Sequence, residues 1–164
     1  MHYEYYQEYY NVPTHEQRPM WKVGDAWRAR GGKPHIIITA TFGVNPRETK
    51  ERILRGEVLA ILAAIRTRLF RSDMREHLVI PVMLVSTIAD CSRILLAHFD
   101  GTNLLVRKSW TWNFVTDDPN VYERVMVYMA SEPIGDTKST PASAATSEEA
   151  DFVGNCEDML HIFT

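Results

Sequence analysis

The sequence has few cysteines and no long apolar run, and each shortage excludes a class of protein. Only two cysteines occur in 164 residues, Cys91 and Cys156, which are too few and too far apart for a disulfide framework or a zinc knot. No window approaches the roughly 18 to 20 consecutive apolar residues of a bilayer span, so we expect no membrane partner. The N-terminal residues lack the basic start and apolar run of a secretory signal. We therefore expect an intracellular protein, cytoplasmic or nuclear.

The usual motifs of metal, phosphate and hydrolytic sites are also missing. The histidines lack the paired spacings of zinc ligands. Gly31-Gly32 stands before a strand instead of joining a strand to a helix, so it is not a phosphate-binding loop. The serines lack the flanking glycines of a nucleophile elbow. These absences favour a protein without a cofactor and leave catalysis without support from local motifs.

Positive charge is concentrated in the middle of the chain, although the whole sequence carries a net charge of −3. Residues 18–115 hold 16 Lys or Arg against 8 Asp or Glu, whereas residues 1–17 and 116–164 are both acidic. Acidic ends often do no more than keep a protein soluble. Alternatively, the basic body binds a nucleic acid or an acidic protein, and the ends compete for the same surface. Both interpretations remain open from the sequence.

The composition along the chain divides it into four parts. Residues 1–17 are predicted to be a flexible, tyrosine-rich acidic arm, and residues 18–130 a single globular domain. Residues 131–150, rich in Ser, Thr, Ala and Pro, are predicted to be a disordered linker. Residues 151–164 mix acidic and apolar side chains and could dock on the body or on another chain, which would give a homodimer.

Within the domain, hydrophobic patterns and turn signals predict four strands and two helices. A β-branched run predicts the first strand, and Asn45, Pro46 and Glu48 predict the start of the first helix. Asp100-Gly101 between two apolar runs predicts a hairpin, and Pro81 places its own strand near an edge or a bulge. The predicted strands cover 35–42, 78–85, 93–99 and 104–109, and the predicted helices cover 46–70 and 118–129.

These elements predict an α+β fold in the order β-α-β-β-β-α. The sheet is small, with about four strands in a mixed or antiparallel arrangement. Apolar residues alternate on both faces of the hairpin strands, so two amphipathic helices are expected to cover the sheet. The buried stripe of the first helix is predicted to be Leu54, Val58, Ile61, Ile65 and Leu69, and that of the second helix Val121, Tyr122, Val125, Met126 and Met129.

Three residues are candidates for catalysis. Glu57 lies at the margin of the apolar stripe and is either an edge residue paired with an arginine or a site residue, and Gly56 beside it indicates a close approach. Asp100 is a turn former or a metal ligand. Lys108 shares a strand face with apolar residues, so its ammonium group leaves that face, finds a partner or points into a cleft.

A second cluster combines cations with aromatic rings, as do surfaces that bind phosphates and stack on bases. Its members are candidates for binding a nucleic acid or a protein partner, unless the tryptophans belong to the core, where tryptophan usually buries its large area. The cluster consists of Arg107, Lys108, Trp110 and Trp112.

Several segments resemble a family of uncharacterised proteins from filamentous ascomycete fungi over most of residues 19–115. They are residues 56–58, 80–84, 93–101 and 106–109. More distantly, the element order is similar to the core of the PD-(D/E)XK nuclease superfamily, in which a helix carrying a glutamate precedes three strands and a second helix. This resemblance implies a divalent metal held by carboxylates and a lysine near the attacking water.

Matched residue by residue, the nuclease resemblance implies that Glu57 and Asp100 bind Mg²⁺ or Mn²⁺ and that Lys108 is the catalytic lysine. The chain departs from the pattern at two positions. Val106 stands where an acidic residue is expected, and Phe99 stands where proline is expected. Without the second strand carboxylate a magnesium site lacks a ligand, so the resemblance implies a degenerate nuclease or a relic that binds without cutting.

Three functions therefore remain as hypotheses. The first is a non-catalytic binding module whose basic body contacts a nucleic acid or an acidic partner. The second is a degenerate metal-dependent nuclease. The third is a structural protein that self-associates through its C-terminal segment.

Overall fold

The computed structural model describes residues 2–5, 21–49, 52–99, 101–116 and 120–138. Within these ranges the chain forms one seven-stranded sheet and three α-helices. The strands are β1 (Tyr3–Tyr5), β2 (Trp21–Ala29), β3 (Ile36–Phe42), β4 (Val82–Ile88), β5 (Cys91–Phe99), β6 (Leu104–Lys108) and β7 (Trp112–Asn113), and the helices are α1 (Pro46–Thr49), α2 (Arg55–Leu69) and α3 (Val121–Ala130).

The sheet follows the chain order from β1 to β6, and β7 pairs with the start of β5 beside β6. All neighbouring pairs are antiparallel except β3 and β4, which are parallel. A parallel pair needs a crossover connection, and α2 lies in that connection. The sheet is therefore mixed, with β3, β4 and β5 in its interior and β6 at one edge.

Helix α2 packs on one face of the sheet because small and branched side chains alternate on its inner side. Ala60 and Ala64 let the helix approach closely, while Ile61 and Ile65 fill the space between helix and sheet. The strands contribute every second residue to this core, as expected for a pleated sheet. These strand residues include Ile36, Ile38, Val82, Leu84, Leu95 and Ala97.

Helix α3 covers the opposite face, and the intervening strand residues point toward it. Val121, Val125 and Tyr128 from the helix are buried against this second core, and Trp112 joins them from β7. The strand residues include Ile37, Met83, Ile94 and Leu96. The α+β class with a helix on each face of the sheet is thus confirmed, as is the alternation of the two faces along β5.

The predicted sheet was too small and one of its strands was misplaced. It has seven strands instead of about four, because β1, β2 and β7 carry no long apolar run. The strand expected at 78–85 begins at Val82 and lies between two neighbours, so the edge position inferred from Pro81 was wrong. Pro81 precedes the strand, and its carbonyl accepts a hydrogen bond from the amide of Ile36 at the start of β3.

The single helix predicted over 46–70 was also wrong, since α1 ends at Thr49 and α2 begins at Arg55. Residues 52–54 between them are not helical, and there the amide of Leu54 and the carbonyl of Arg52 bond to the buried side chains of Glu57 and Arg93. The predicted stripe is correct at Ile61 and Ile65, but Leu69 at its end is exposed. On α3, Val121 and Val125 are buried as predicted, whereas Tyr122 and Met126 are exposed.

Two parts expected to be flexible contain ordered structure. Tyr3–Tyr5 pair with β2, and Tyr3 is buried. Residues 131–138 pack against the domain, although this stretch was assigned to a linker. The remainder of both predicted tails, and the C-terminal segment 151–164, lie outside the described residues. In the described part of the chain no helix is long and apolar enough to cross a bilayer.

Candidate binding groove and the predicted site residues

Glu57 lies in the first turn of α2 and its carboxylate is completely buried. The amide of Leu54 donates to Oε2 at 2.7 Å, which ties the helix to the segment before it. Ser86 on β4 donates to Oε1 at 2.6 Å. Arg93 on β5 donates through Nε at 2.9 Å and Nη2 at 2.7 Å, in the two-pronged geometry of a strong arginine–carboxylate pair.

Arg93 is buried as completely as its partner and holds the chain before α2 in place. Its Nη1 donates to the carbonyl of Thr49 at 3.1 Å, and its Nη2 to the carbonyl of Arg52 at 2.7 Å. The guanidinium group thus joins β5, the end of α1 and the start of α2. A buried charge needs this degree of compensation, because desolvation of an uncompensated ion costs several kcal/mol.

The geometry places Glu57 inside the protein, with its side chain fully buried among the described residues. Arg93, its partner, is near the start of β5, and Phe99, the residue before Asp100, ends that strand about 20 Å further along at the usual rise per residue. Asp100 itself lies outside the described residues. Lys108 pairs in register with Leu95 on the α2 side of the sheet and is partly exposed.

The described residues contain no group of three or more His, Cys, Asp or Glu side chains that could hold a metal ion. Every carboxylate oxygen of Glu57 already accepts hydrogen bonds from within the chain. The arrangement is therefore suited to fixing α2 on the sheet. It offers no polar group to a substrate, because no part of the ion pair reaches solvent.

The predicted cation–aromatic cluster is divided between the surface and the core. Trp112 is buried with α3 in the second core, which agrees with the alternative that the tryptophans belong to the core. Trp110 is half exposed and Arg107 is exposed. Because successive residues of a strand point to opposite faces, Arg107 and Lys108 lie on opposite sides of β6.

An apolar groove of about 360 Å³ lies along the flank of α2 beside the end of β5, where the sequence predicted no site. We call it the α2 groove. Its exposed apolar residues include Leu62, Leu69 and Phe70, and Phe70 is 79% exposed. The complete lining is Leu62, Ile65, Arg66, Leu69 and Phe70 from the helix, with Phe99 from β5.

Arg66 supplies the positive charge of the α2 groove. Its guanidinium carbon lies 5.3 Å from the centre of the Phe70 ring, which is a cation–π contact. Leu59 and Arg55 continue the same exposed stripe toward the start of the helix, since Leu59 precedes Leu62 by about one turn and Arg55 precedes Arg66 by about three turns. The stripe therefore combines apolar side chains with two arginines.

A second buried polar cluster surrounds His35, at the entrance to β3. His35 donates from Nε2 to the carbonyl of Ile134 at 2.8 Å, and Lys33 donates to the carbonyl of Pro133 at 2.6 Å. Burial is the main cause that lowers the pKa of His35 to about 4, with nearby positive charges adding to it. The cluster holds residues 131–138, which we call the strap, against the domain.

His77 completes the attachment of the strap. Its Nε2 donates to the carbonyl of Gly32 at 3.1 Å, and its Nδ1 is 2.7 Å from Oγ1 of Thr137. The amides of Leu78 and Val79 both donate to the carbonyl of Thr137. Sequence patterns gave no signal for this cluster, because most of its acceptors are backbone carbonyls.

Comparison with known proteins finds no relative from which a function could be assigned to these sites. The chain matches no family model, no curated protein and no solved structure. The resemblance to a fungal family therefore rests on the sequence segments alone, and that to the nuclease superfamily on the predicted element order.

Proposed function

We propose that the chain is a non-catalytic binding module whose α2 groove takes an acidic protein segment with apolar side chains. The observation that carries this proposal is the exposure of Leu62, Leu69 and Phe70 beside Arg66 in one concave site. Exposed apolar clusters of this kind commonly mark binding surfaces. Arginine beside them favours a partner that carries carboxylates.

The α2 groove suits a segment that inserts two or three apolar side chains. Helix-in-groove and related binding modes use an apolar face with a few anchors and charges at the margin. Burying one large apolar side chain contributes about 1.5 to 3 kcal/mol. Two such anchors contribute about 3 to 6 kcal/mol before the cost of association, whereas a micromolar constant corresponds to about 8 kcal/mol net, so tight binding would need contacts beyond the anchors.

The charge distribution favours a protein partner over a nucleic acid. Exposed arginines occur on α1, α2, β6 and α3, at positions that include Arg47, Arg55, Arg107 and Arg124. Arg68 and Arg93, by contrast, are buried and serve the fold. The exposed positive charges are therefore spread over several elements and do not define one nucleic-acid-binding surface, whereas the apolar residues of the α2 groove lie together in one site.

The nuclease hypothesis receives no support from the position of Glu57. A metal-binding carboxylate has to reach the metal and its water, whereas this carboxylate pairs with Arg93 away from solvent. Incubation of the full-length chain with DNA or RNA and Mg²⁺ or Mn²⁺ tests that hypothesis directly. Cleavage that the Glu57→Gln substitution abolishes, with the fold intact, would restore it.

Selection of peptides by the full-length chain tests the proposal. Phage-displayed random 12-residue peptides are selected on the wild type and counter-selected on Leu62→Asp, which alters an exposed residue. We expect enriched peptides to combine apolar residues with Asp or Glu, and to bind at least tenfold more weakly to Leu62→Asp and Phe70→Ser. Met126→Asp on α3 is the matched control and should bind like the wild type.

Two results would overturn the proposal. One is enrichment of peptides whose affinity the substitutions in the α2 groove leave unchanged. The other is salt-sensitive binding of a DNA or RNA oligonucleotide that is stronger than the binding of any selected peptide, because that result would favour the nucleic-acid interpretation.

A further inference from the structure

We propose that the α2 groove is occupied in the free protein by the chain's own C-terminal segment, residues 152–163, which thereby competes with an external partner. This inference rests on the proposed function of the groove and names its intramolecular occupant. Three independent features support it: the composition of the segment, the charge beside the groove, and the place where the described chain ends.

The composition of residues 139–164 matches the chemistry of the α2 groove. Apolar side chains occur at Phe152, Val153, Met159, Leu160, Ile162 and Phe163. Acidic side chains occur among them and just before them, at Glu148, Glu149, Asp151, Glu157 and Asp158. These 26 residues contain no Lys or Arg, so the segment offers apolar anchors and only negative charge.

The charge beside the α2 groove is of the opposite sign. Arg66 lines the groove, and Arg55 lies further along the same stripe. The second exposed apolar surface, on α3, differs in this respect because Glu123 lies beside Tyr122 and Met126 and offsets the charge of Arg124 in the same helix. Electrostatic complementarity thus favours the groove over α3 as the docking site.

The described chain ends beside the segment that follows α2. Lys138, the last described residue, forms an ion pair with Glu76 at 2.6 Å. Glu76 follows Phe70 by six residues, so the two are at most about 22 Å apart. The last described residue of the strap thus contacts the segment that follows α2, on the side of the helix end at which Leu69 and Phe70 lie in the sequence.

The length of chain between Lys138 and Phe152 is sufficient for docking. The 13 intervening residues are rich in Ser, Thr and Ala, and a random coil of 13 residues has a root-mean-square span of about 20 Å. That span is comparable with the upper bound on the distance between Glu76 and Phe70, and the effective concentration is highest when the span of a linker fits the gap that it crosses. At an effective concentration of about 1 mM, an intrinsic dissociation constant near 100 µM would weaken an external competitor about tenfold.

Cys156 allows the docking to be detected in the full-length chain without any engineered cysteine. Cys91 is buried, so a nitroxide reagent should react with Cys156. We expect the nitroxide to broaden the methyl resonances of Leu62, Ile65 and Leu69 in the full-length protein. The methyl resonance of Met126 on α3 is the internal control and should keep its intensity.

Two sets of substitutions should abolish the broadening. The first changes the segment, Ile162→Ser with Phe163→Ser, and the second changes the α2 groove, Leu62→Asp or, independently, Phe70→Ser. Broadening that persists in both sets, or that spreads equally to Met126, would overturn the inference. A sample mixing nitroxide-labelled chains with isotope-labelled chains separates the sources, since broadening there would assign the groove to the segment of a second copy.

The same variants separate this inference from the proposed function. If the inference holds, Ile162→Ser with Phe163→Ser should increase the affinity of a selected peptide about tenfold. If the peptide binds the α2 groove but its affinity is unchanged by these substitutions, the inference fails and the proposed function stands. If no peptide binds even the segment variant while the nitroxide still broadens the helix in the wild type, the groove serves only the chain's own segment and the proposed function fails.

Discussion

Glu57 was a candidate for catalysis because it carries a carboxylate, but in the structure this carboxylate forms a buried ion pair with Arg93. A glutamate next to an apolar stripe was open to two interpretations, and the structure shows the one in which it pairs with an arginine. The sequence could not identify Arg93 as the partner, because the two residues are 36 positions apart. The sequence also could not show that the pair is completely buried, because an amphipathic pattern does not reveal which residues contact a charged side chain at the edge of the apolar stripe.

Removing one member of the Glu57–Arg93 pair should destabilise the protein strongly. We expect Glu57→Gln to lower the free energy of unfolding by about 3 to 5 kcal/mol, because Arg93 would remain buried without a counter-ion. Urea denaturation measures this change. The exposed Lys138–Glu76 pair is the control: Glu76→Gln should leave the free energy of unfolding nearly unchanged, because solvent screens this pair. A loss of stability for Glu57→Gln as small as that of the control would contradict the structural role.

His35 should make the stability of the protein depend on pH. Its folded pKa of about 4 lies below the ordinary value of 6.5, so the unfolded chain takes up a proton first as the pH falls. Stability is therefore complete above about pH 6.5 and declines toward pH 4, by about 3 kcal/mol in total. Urea denaturation of the wild type and of His35→Gln at pH 7, 5 and 4 measures this change. Parallel pH profiles for the two proteins would contradict it.

At the scale of elements, α2 shows how far periodicity can predict a helix. Its apolar spacing correctly placed Ile61 and Ile65 in the core. The leucines on the outer side are equally apolar, and only the small Ala60 and Ala64 indicate which side approaches the sheet. The α2 groove was missed for the same reason, since its residues were assigned to the buried stripe or left unassigned.

Gly56 lies where α2 approaches the sheet closely, as the sequence indicated. A Cβ at this position would lie 2.7 Å from Cε1 of Phe42 and 3.1 Å from the Trp21 ring. Gly56→Ala should therefore destabilise the protein by about 1 to 3 kcal/mol through overpacking, although alanine is favoured over glycine in a helix by about 1 kcal/mol. Thermal denaturation measures the net effect.

The smaller side chain of Phe42→Leu provides the matched background for this substitution. In that background, Gly56→Ala should cost less than it does in the wild type, because the atom that the new Cβ meets is gone. An equal or larger cost in the Phe42→Leu background would show that the penalty has another origin.

At the scale of the whole molecule, the local hairpin was predictable and the ends of the domain were not. Strands β5 and β6 flank a turn with an Asp-Gly signal, and both were predicted within two residues of their bounds. Strand β1 and the strap have compositions typical of mobile chain. Both are ordered by partners that are distant in the sequence. Strand β1 pairs with β2, and the strap forms hydrogen bonds with His35 and His77.

The strap should therefore belong to the folded domain, and its removal is the test of the corrected boundary. Residues 1–138 and 1–130 are compared as two truncated chains that differ only in the strap. We expect 1–130 to be less stable by at least about 2 kcal/mol, since His35, Leu78 and Val79 would lose hydrogen-bond acceptors at buried or partly buried positions. Urea denaturation at pH 7 measures the difference, and equal midpoints for the two chains would return residues 131–138 to the linker.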